Sequence, residues 1–218
     1  MASKEQLSAK NTNRCIAGIK AARKRGKCLV SFTNDEYVLL ERDLIFEFSL
    51  LKGQILNDDL YSSIVTKEQL INAKKAGLSY ATYALRSTLQ VRNRLKEKGY
   101  SHDIIEDVIS FLKEFNYLSD EFFTEQFIRA KINRKHYGYQ RIRRELGAKG
   151  IHSNIIESML EKLYPDTVAY ETARKSAEKK LRSIAFRDAE KKKVQLYNHL
   201  RRQGFPTQII KTIISEYC

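Results

Sequence analysis

A block of apolar residues closed by glycine recurs three times in this chain, and it dictates the architecture. It reads Val91-x3-Leu95-x3-Gly99-Tyr100-x3-Ile104-Ile105-x2-Val108-Ile109, then Ile142-x3-Leu146-x3-Gly150-Ile151-x3-Ile155-Ile156-x2-Met159-Leu160. The third copy is Leu196-x3-Leu200-x3-Gly204-Phe205-x3-Ile209-Ile210-x2-Ile213-Ile214. The glycines lie 51 and 54 residues apart, a spacing at which one supersecondary unit is repeated along a chain. Each block translates into physics. An apolar pair four apart is one stripe of a helix. The glycine falls where a left-handed residue would close that helix. Ser101, Ser153 or Pro206 then opens a second helix, whose apolar pairs form a face wide enough to be buried between neighbours. A further helix is expected before each block, near residues 76–86, 120–133 and 167–185. Modules this short bury little alone and must stack to share a core. The spacing therefore predicts a mainly α protein, with three tandem three-helix repeats forming an elongated, curved body, and nine helices over residues 76–218.

The first 60 residues read differently. Lys27–Phe32 and Glu36–Leu40, separated by polar Thr33-Asn34-Asp35, look like a hairpin, with Arg14–Lys20 as a third strand and Gln54–Leu56 as a short fourth. Leu44, Phe48 and Leu51 have helical spacing over residues 42–51 and stop at Gly53. A connecting helix is expected over Asp58–Lys75. The domain reading is a small β-rich domain over residues 1–60, a connecting helix over 61–75, and repeats over 76–117, 118–165 and 166–218.

Charge narrows the function classes. The chain carries a net +14, unevenly placed: residues 1–27 hold eight Lys/Arg against one acid, 129–149 eight against one, and 174–202 eleven against three, so the remainder is net negative. Basic charge gathered into stretches suits a polyanionic partner, the rival being a solvated basic surface. Cys15, Cys28 and Cys218 form no CxxC pair and the four histidines show no ligand spacing, so no metal is expected. Cys15 and Cys28 could pair, but reduced thiols in a cytoplasmic protein are the plainer reading. No apolar run approaches ~18 residues and the N-terminus lacks a signal-peptide core, so neither a membrane nor secretion is expected. There is no phosphate-cradling GxxxxGK[ST] and no GxSxG elbow, and Asp103, Glu106 and Asp107 are explained as acids at a helix N-terminus. Neither catalytic residues nor a cofactor are expected.

The candidate binding residues are Arg129, Lys131, Arg134, Lys135, Tyr137, Arg141, Arg144 and Lys149, which place basic groups at a helix end, in a turn and along the next helix, with tyrosines between them. Arginines on a rigid helix beside aromatics suit phosphate contacts and stacking. Arg141 and Arg144, three apart, project from one side. The competing reading is that Arg141 pairs with Glu145 and the rest is hydrated surface. A secondary basic surface comprises Lys179, Lys180, Lys191, Lys192, Lys193 and Arg201, able to attract phosphates without reading sequence. Gly99, Gly150 and Gly204 are assigned structural roles as helix stops, and Gly138 one as a tight turn.

Asn116-Tyr-Leu-Ser-Asp-Glu121, the aromatics Phe122, Phe123 and Phe127, and Tyr137-Gly-Tyr-Gln-Arg-Ile-Arg-Arg-Glu-Leu-Gly-Ala-Lys-Gly-Ile151 together resemble the RecX family, whose central module carries G-Y-L-D/S-D and Y-G-x-x-R-I-x-x-E-L-x-x-K-G-I. Three positions depart from it: Asn116 replaces a glycine, Tyr139 stands where proline is common, and Gln90 replaces a glutamate of the first repeat. The resemblance implies a monomeric, non-enzymatic inhibitor that binds in the groove of the RecA–DNA filament. It would block filament extension and suppress RecA's ATPase, strand-exchange and coprotease activities. The implied partners are the RecA filament and single- and double-stranded DNA. The alternative from charge alone is a stand-alone DNA- or RNA-binding helical repeat protein.

Overall fold

Alternating apolar residues over Arg14–Phe32 and Tyr37–Glu41 do build a sheet. In a computed structural model, which describes residues 14–24 and 26–217, the chain forms two compact units, one reaching Ala76 and the other starting at Gly77. Lys4 and Lys10 of the N-terminal basic run, Arg25 of the Arg23–Arg25 turn, and Cys218 lie outside the described residues.

In the first unit, strands β1 (Arg14–Ala21), β2 (Lys27–Phe32), β3 (Tyr37–Glu41) and β4 (Ile55–Leu56) form one antiparallel sheet in the order β3-β2-β1-β4. The register pairs Val30 with Val38 and Cys28 with Leu40. Asp35, a residue type that tolerates positive φ, takes the left-handed position of the β2–β3 turn at φ 63°. Ile16, Val30, Phe32, Leu40, Leu44, Leu50, Leu56 and Ile64 make the core. Cys15 and Cys28 are free thiols; Cys15 lies opposite Ile55 and Cys28 opposite Ala21, at opposite ends of β1.

Helix α1 is shorter than expected, Arg42–Glu47 rather than 42–51. Ser49 at φ 46° ends it, and the chain then turns Leu50 inward and leaves Leu51 69% exposed. In the stripe Leu44–Phe48–Leu51, Leu50 thus takes the place of Leu51, while Phe48 still packs against the core. Beneath the sheet, Lys27 is only 5% exposed and its ammonium bonds Glu68 and Asn72, with Glu41 at 3.3 Å. Lys75 completes the balance at 2.8 Å from Glu41. Two cations against two carboxylates make this burial tolerable.

A second correction concerns α2 (Asp58–Tyr83): the connecting helix and the expected helix at 76–86 are one continuous helix. Ala73-Lys-Lys-Ala-Gly77 contains no stop signal strong enough to break it. Gly77 serves packing instead, since a Cβ there would stand 2.7 Å from the Val108 side chain.

From Gly77 onward, no strand occurs among the described residues. The end of α2 joins α3 (Thr88–Glu97) and α4 (His102–Glu114). Repeat two comprises α5 (Asp120–Ala130), a single π turn (Lys131–Lys135), α6 (Tyr139–Gly147) and α7 (Ser153–Leu163). Repeat three comprises α8 (Asp166–Ser183), α9 (Ala189–Gln203) and α10 (Thr207–Tyr217). Gly99, Gly150 and Gly204 follow α3, α6 and α9 at φ 84°, 76° and 90°. After each glycine, the next residue donates its N–H to the carbonyl of the preceding buried leucine: Tyr100 to Leu95, Ile151 to Leu146, Phe205 to Leu200. That shared helix stop satisfies carbonyls the helix end would otherwise orphan.

The repeats join by one recurring contact. Ser87, at the start of α3, donates its hydroxyl to the Lys149 carbonyl at 2.8 Å, and Gly138, at the start of α6, donates its N–H to the Gln203 carbonyl at 2.8 Å. Each helix start thus sits on the glycine turn of the following repeat. Gly138 is therefore structural for a different reason than a tight turn. Its φ is an ordinary −79°, but a Cβ would meet the Gly204 carbonyl oxygen at 2.5 Å. The left-handed residue of that connection is His136, at φ 52°.

Candidate functional site

The eight residues singled out in repeat two are gathered around α5, the π turn and α6, but they divide into two sets. At the centre is a closed stack. Arg141 lies 3.7 Å from the centre of the Tyr137 ring and donates to the Tyr137 hydroxyl at 2.9 Å, to Glu145 at 3.2 Å and to Gln203 at 2.8 Å. Lys131 reaches the same Glu145 at 2.6 Å, between the rings of Phe127 (4.7 Å) and Tyr137 (4.9 Å). Burial works against the Glu145 carboxylate, yet hydrogen bonds from Lys131 and Arg141 outweigh it and hold its pKa below the usual carboxylate value. Lys149 lies 5.7 Å from the Phe127 ring. Arg141, half-buried, therefore spends its guanidinium on groups of the protein itself, tying repeat two to repeat three through Gln203.

Around that stack are cations turned to solvent. Arg134 and Lys135 at the end of the π turn, and Arg144 on α6, are exposed and make no salt bridge among the described residues. Arg129 is exposed but paired with Glu125 one turn earlier at 2.9 Å. Arg143 is tied to Glu157, a carboxylate that also accepts from the Tyr139 hydroxyl. Arg144 borders a cleft of about 490 Å³ floored by Ile151 and Ile156, and Arg134 borders a groove of about 500 Å³ with Leu85, Phe123 and Phe127.

In repeat three, Lys191 pairs with Asp188 at 2.9 Å and Lys193 lies 3.8 Å from Glu190, so two of the three consecutive lysines have acids on their own helix. Lys179 and Arg201 are exposed, and Lys192 is half-buried. Lys180 and Arg201 meet in a cleft of about 650 Å³ whose other lining residues are Gln195, Asn198 and Arg202. No carboxylate among the described residues lines it. Arg202 ends the basic stretch read from the sequence; Gln195 and Asn198 escaped that reading, although the i, i+3, i+7 spacing of the three on α9 marks one polar face. Behind the cleft, burial together with Lys180 and Arg202 lowers the pKa of His199, which meets the Ser176 hydroxyl at 3.0 Å.

No group of three His, Cys, Asp or Glu among the described residues could hold a metal, and no helix among them is long and apolar enough to cross a membrane.

Comparison with known proteins places this geometry. The family model of the first three-helix domain of RecX matches residues 73–112, and that of the second three-helix domain matches residues 119–160. The chain is 29% identical over 209 residues to the regulatory protein RecX of Clostridium acetobutylicum, covering 92% of this chain and 97% of that one. It is 28% identical over 180 residues to that of Clostridioides difficile, covering 83% and 84%. A crystal structure of RecX from Lactobacillus salivarius superimposes with TM-score 0.62 at 29% identity, over 69% of this chain and 97% of that chain. A crystal structure of a regulatory protein RecX shares the fold at TM-score 0.71 and 24% identity, over 93% and 99%. With two domain models matched in order, the relatives aligned nearly end to end and the same helical repeats, the chain belongs to the RecX family of regulatory proteins.

Proposed function

We propose that this protein is a non-catalytic regulator of the RecA recombinase, binding the RecA–DNA filament in the cytoplasm, blocking its extension and suppressing its DNA-dependent activities. Family membership supports RecA as the partner. The observation that carries the DNA contact is the set of unpaired cations, Arg134, Lys135 and Arg144, surrounding a core in which Lys131 and Arg141 share the carboxylate of Glu145. A charge already satisfied inside the protein contributes little to a phosphate contact, whereas an exposed unpaired one can release counterions. Single- and double-stranded DNA both offer that chemistry.

The test is RecA's single-strand-dependent ATP hydrolysis, measured against increasing amounts of the protein. The parent should suppress it, and Arg134→Glu with Arg144→Glu should need at least about tenfold more protein for the same suppression. Equal suppression by that variant would remove the basic face from the reading. Binding to bare DNA with no effect on RecA would favour a stand-alone nucleic-acid-binding module.

A further inference from the structure

We infer that the α8–α9 hairpin of repeat three is a binding site for single-stranded nucleic acid, in which Phe186 stacks on a base while the cleft of Lys180, Arg201 and Arg202 holds the phosphates. This inference deepens the DNA contact proposed above and rests on it.

Phe186 is fully exposed, more so than any other large apolar side chain among the described residues. Its surroundings are ordered by ordinary turn chemistry. Ile184 is buried and donates to the Leu181 carbonyl at 3.0 Å, and Arg187 donates its N–H to the Ile184 carbonyl at 3.1 Å. An anchored turn thus presents an aromatic ring to water, which folding alone does not favour. The matching connection of repeat two also carries an aromatic, Tyr137, but there Arg141 covers the ring.

The charge around Phe186 indicates what would cover it. Residues 179–187 read Lys-Lys-Leu-Arg-Ser-Ile-Ala-Phe-Arg, with four cations and no acid. Arg182 and Arg187 are exposed and form no salt bridge among the described residues, and Asp188 beyond them is engaged in capping α9 and pairing with Lys191. The cleft on the same hairpin is lined by cations and amides only. Cations in the turn that carries a free aromatic ring, with a basic cleft on the same helix pair, fit a strand whose bases are unstacked and reachable; a duplex presents phosphates but no free base face.

The absence of tryptophan from the chain makes the test direct. Phe186→Trp supplies the sole indole, and its emission should be quenched by an oligothymidylate of about 20 nucleotides and not by a duplex of equal length. Phe186→Ala should weaken binding of the labelled oligothymidylate, read by anisotropy, by about tenfold, leaving duplex binding and the salt dependence unchanged. Lys180→Ala with Arg202→Ala should instead flatten the salt dependence of single-strand binding, by about 0.7 in the log–log slope for each phosphate left unneutralised. If the parent binds the oligonucleotide while Trp emission is silent at saturation, or Phe186→Ala binds as the parent does, this inference alone is overturned. If the parent binds no DNA at all, the DNA contact of the proposed function falls with it.

Discussion

Within one turn of α6, two arginines of identical chemistry have opposite surroundings. Arg141 has Tyr137, Glu145 and Gln203 around its guanidinium, while Arg144 faces water. From sequence, both lie on one side of a helix, and the i,i+4 partner Glu145 offers itself to Arg141 as one alternative. What sequence cannot supply is Gln203, 62 residues away, and Lys131, which shares the same carboxylate across the turn. Arg141→Ala should therefore lower unfolding stability by about 1.5–3 kcal/mol, and Arg144→Ala by no more than about 0.5 kcal/mol, in denaturant titrations at neutral pH. The pH dependence has a definite sign. The pKa of Glu145 is lowered in the folded state, so its contribution is present above the ordinary carboxylate pKa and lost as pH falls through the lowered folded value. The gap between the two variants should shrink in acid. A gap that stays constant would mean that Gln203 and Tyr137, not Glu145, hold Arg141.

At the scale of elements, the departures from the family pattern show how far a sequence can be read. Asn116 occupies a left-handed position at φ 58°, where glycine is at ease and asparagine is among the best substitutes. Gln90 closes a capping box with Ser87, a role glutamine fills as well as glutamate. Tyr139 is the first residue of α6, the position helices most readily give to proline. Helix stops, the hairpin and the repeat were legible because each rests on local chemistry. The fusion of two expected helices into α2, the early end of α1 and the Ser87–Lys149 and Gly138–Gln203 joints were not, because they depend on packing between distant segments. Gly99, Gly150 and Gly204 look alike in sequence yet differ in this respect. A Cβ at Gly99 meets nothing, one at Gly150 meets the Leu89 side chain at 2.6 Å, and one at Gly204 runs into the Arg141 backbone. Gly99→Ala should cost only the left-handed backbone penalty of about 1–2 kcal/mol. Gly204→Ala should add an overpacking cost of about 1–3 kcal/mol, and Gly138→Ala should show that second cost alone. Gly147→Ala, with open space and an ordinary φ, is the control and should be neutral or stabilising. Equal losses at Gly99 and Gly204, measured by thermal unfolding, would sink the joint as an account of these glycines.

For the whole molecule, the unpaired cations of repeats two and three belong to one compact unit, and the Gly138–Gln203 and Arg141–Gln203 bonds hold those repeats together. Two phosphate-attracting surfaces in one compact unit act on a long strand as a bivalent site, because engagement of one raises the effective concentration of the strand at the other. A strand too short to reach both gains nothing from the second. Take an oligothymidylate of about five nucleotides and one of about 30, and reverse the charge of repeat two with Arg134→Glu and Arg144→Glu, or of repeat three with Lys180→Glu and Arg202→Glu. On the long strand, either pair of substitutions should weaken binding by at least about tenfold, and the two together should approach the weak affinity of a surface without its cations. On the short strand, whichever repeat binds it more tightly should account for nearly the whole effect, and the other pair should change little. Should both pairs reduce binding of the short strand equally, the cations would be acting as one diffuse field. If neither pair weakens the long strand, the basic stretches are a solvated surface.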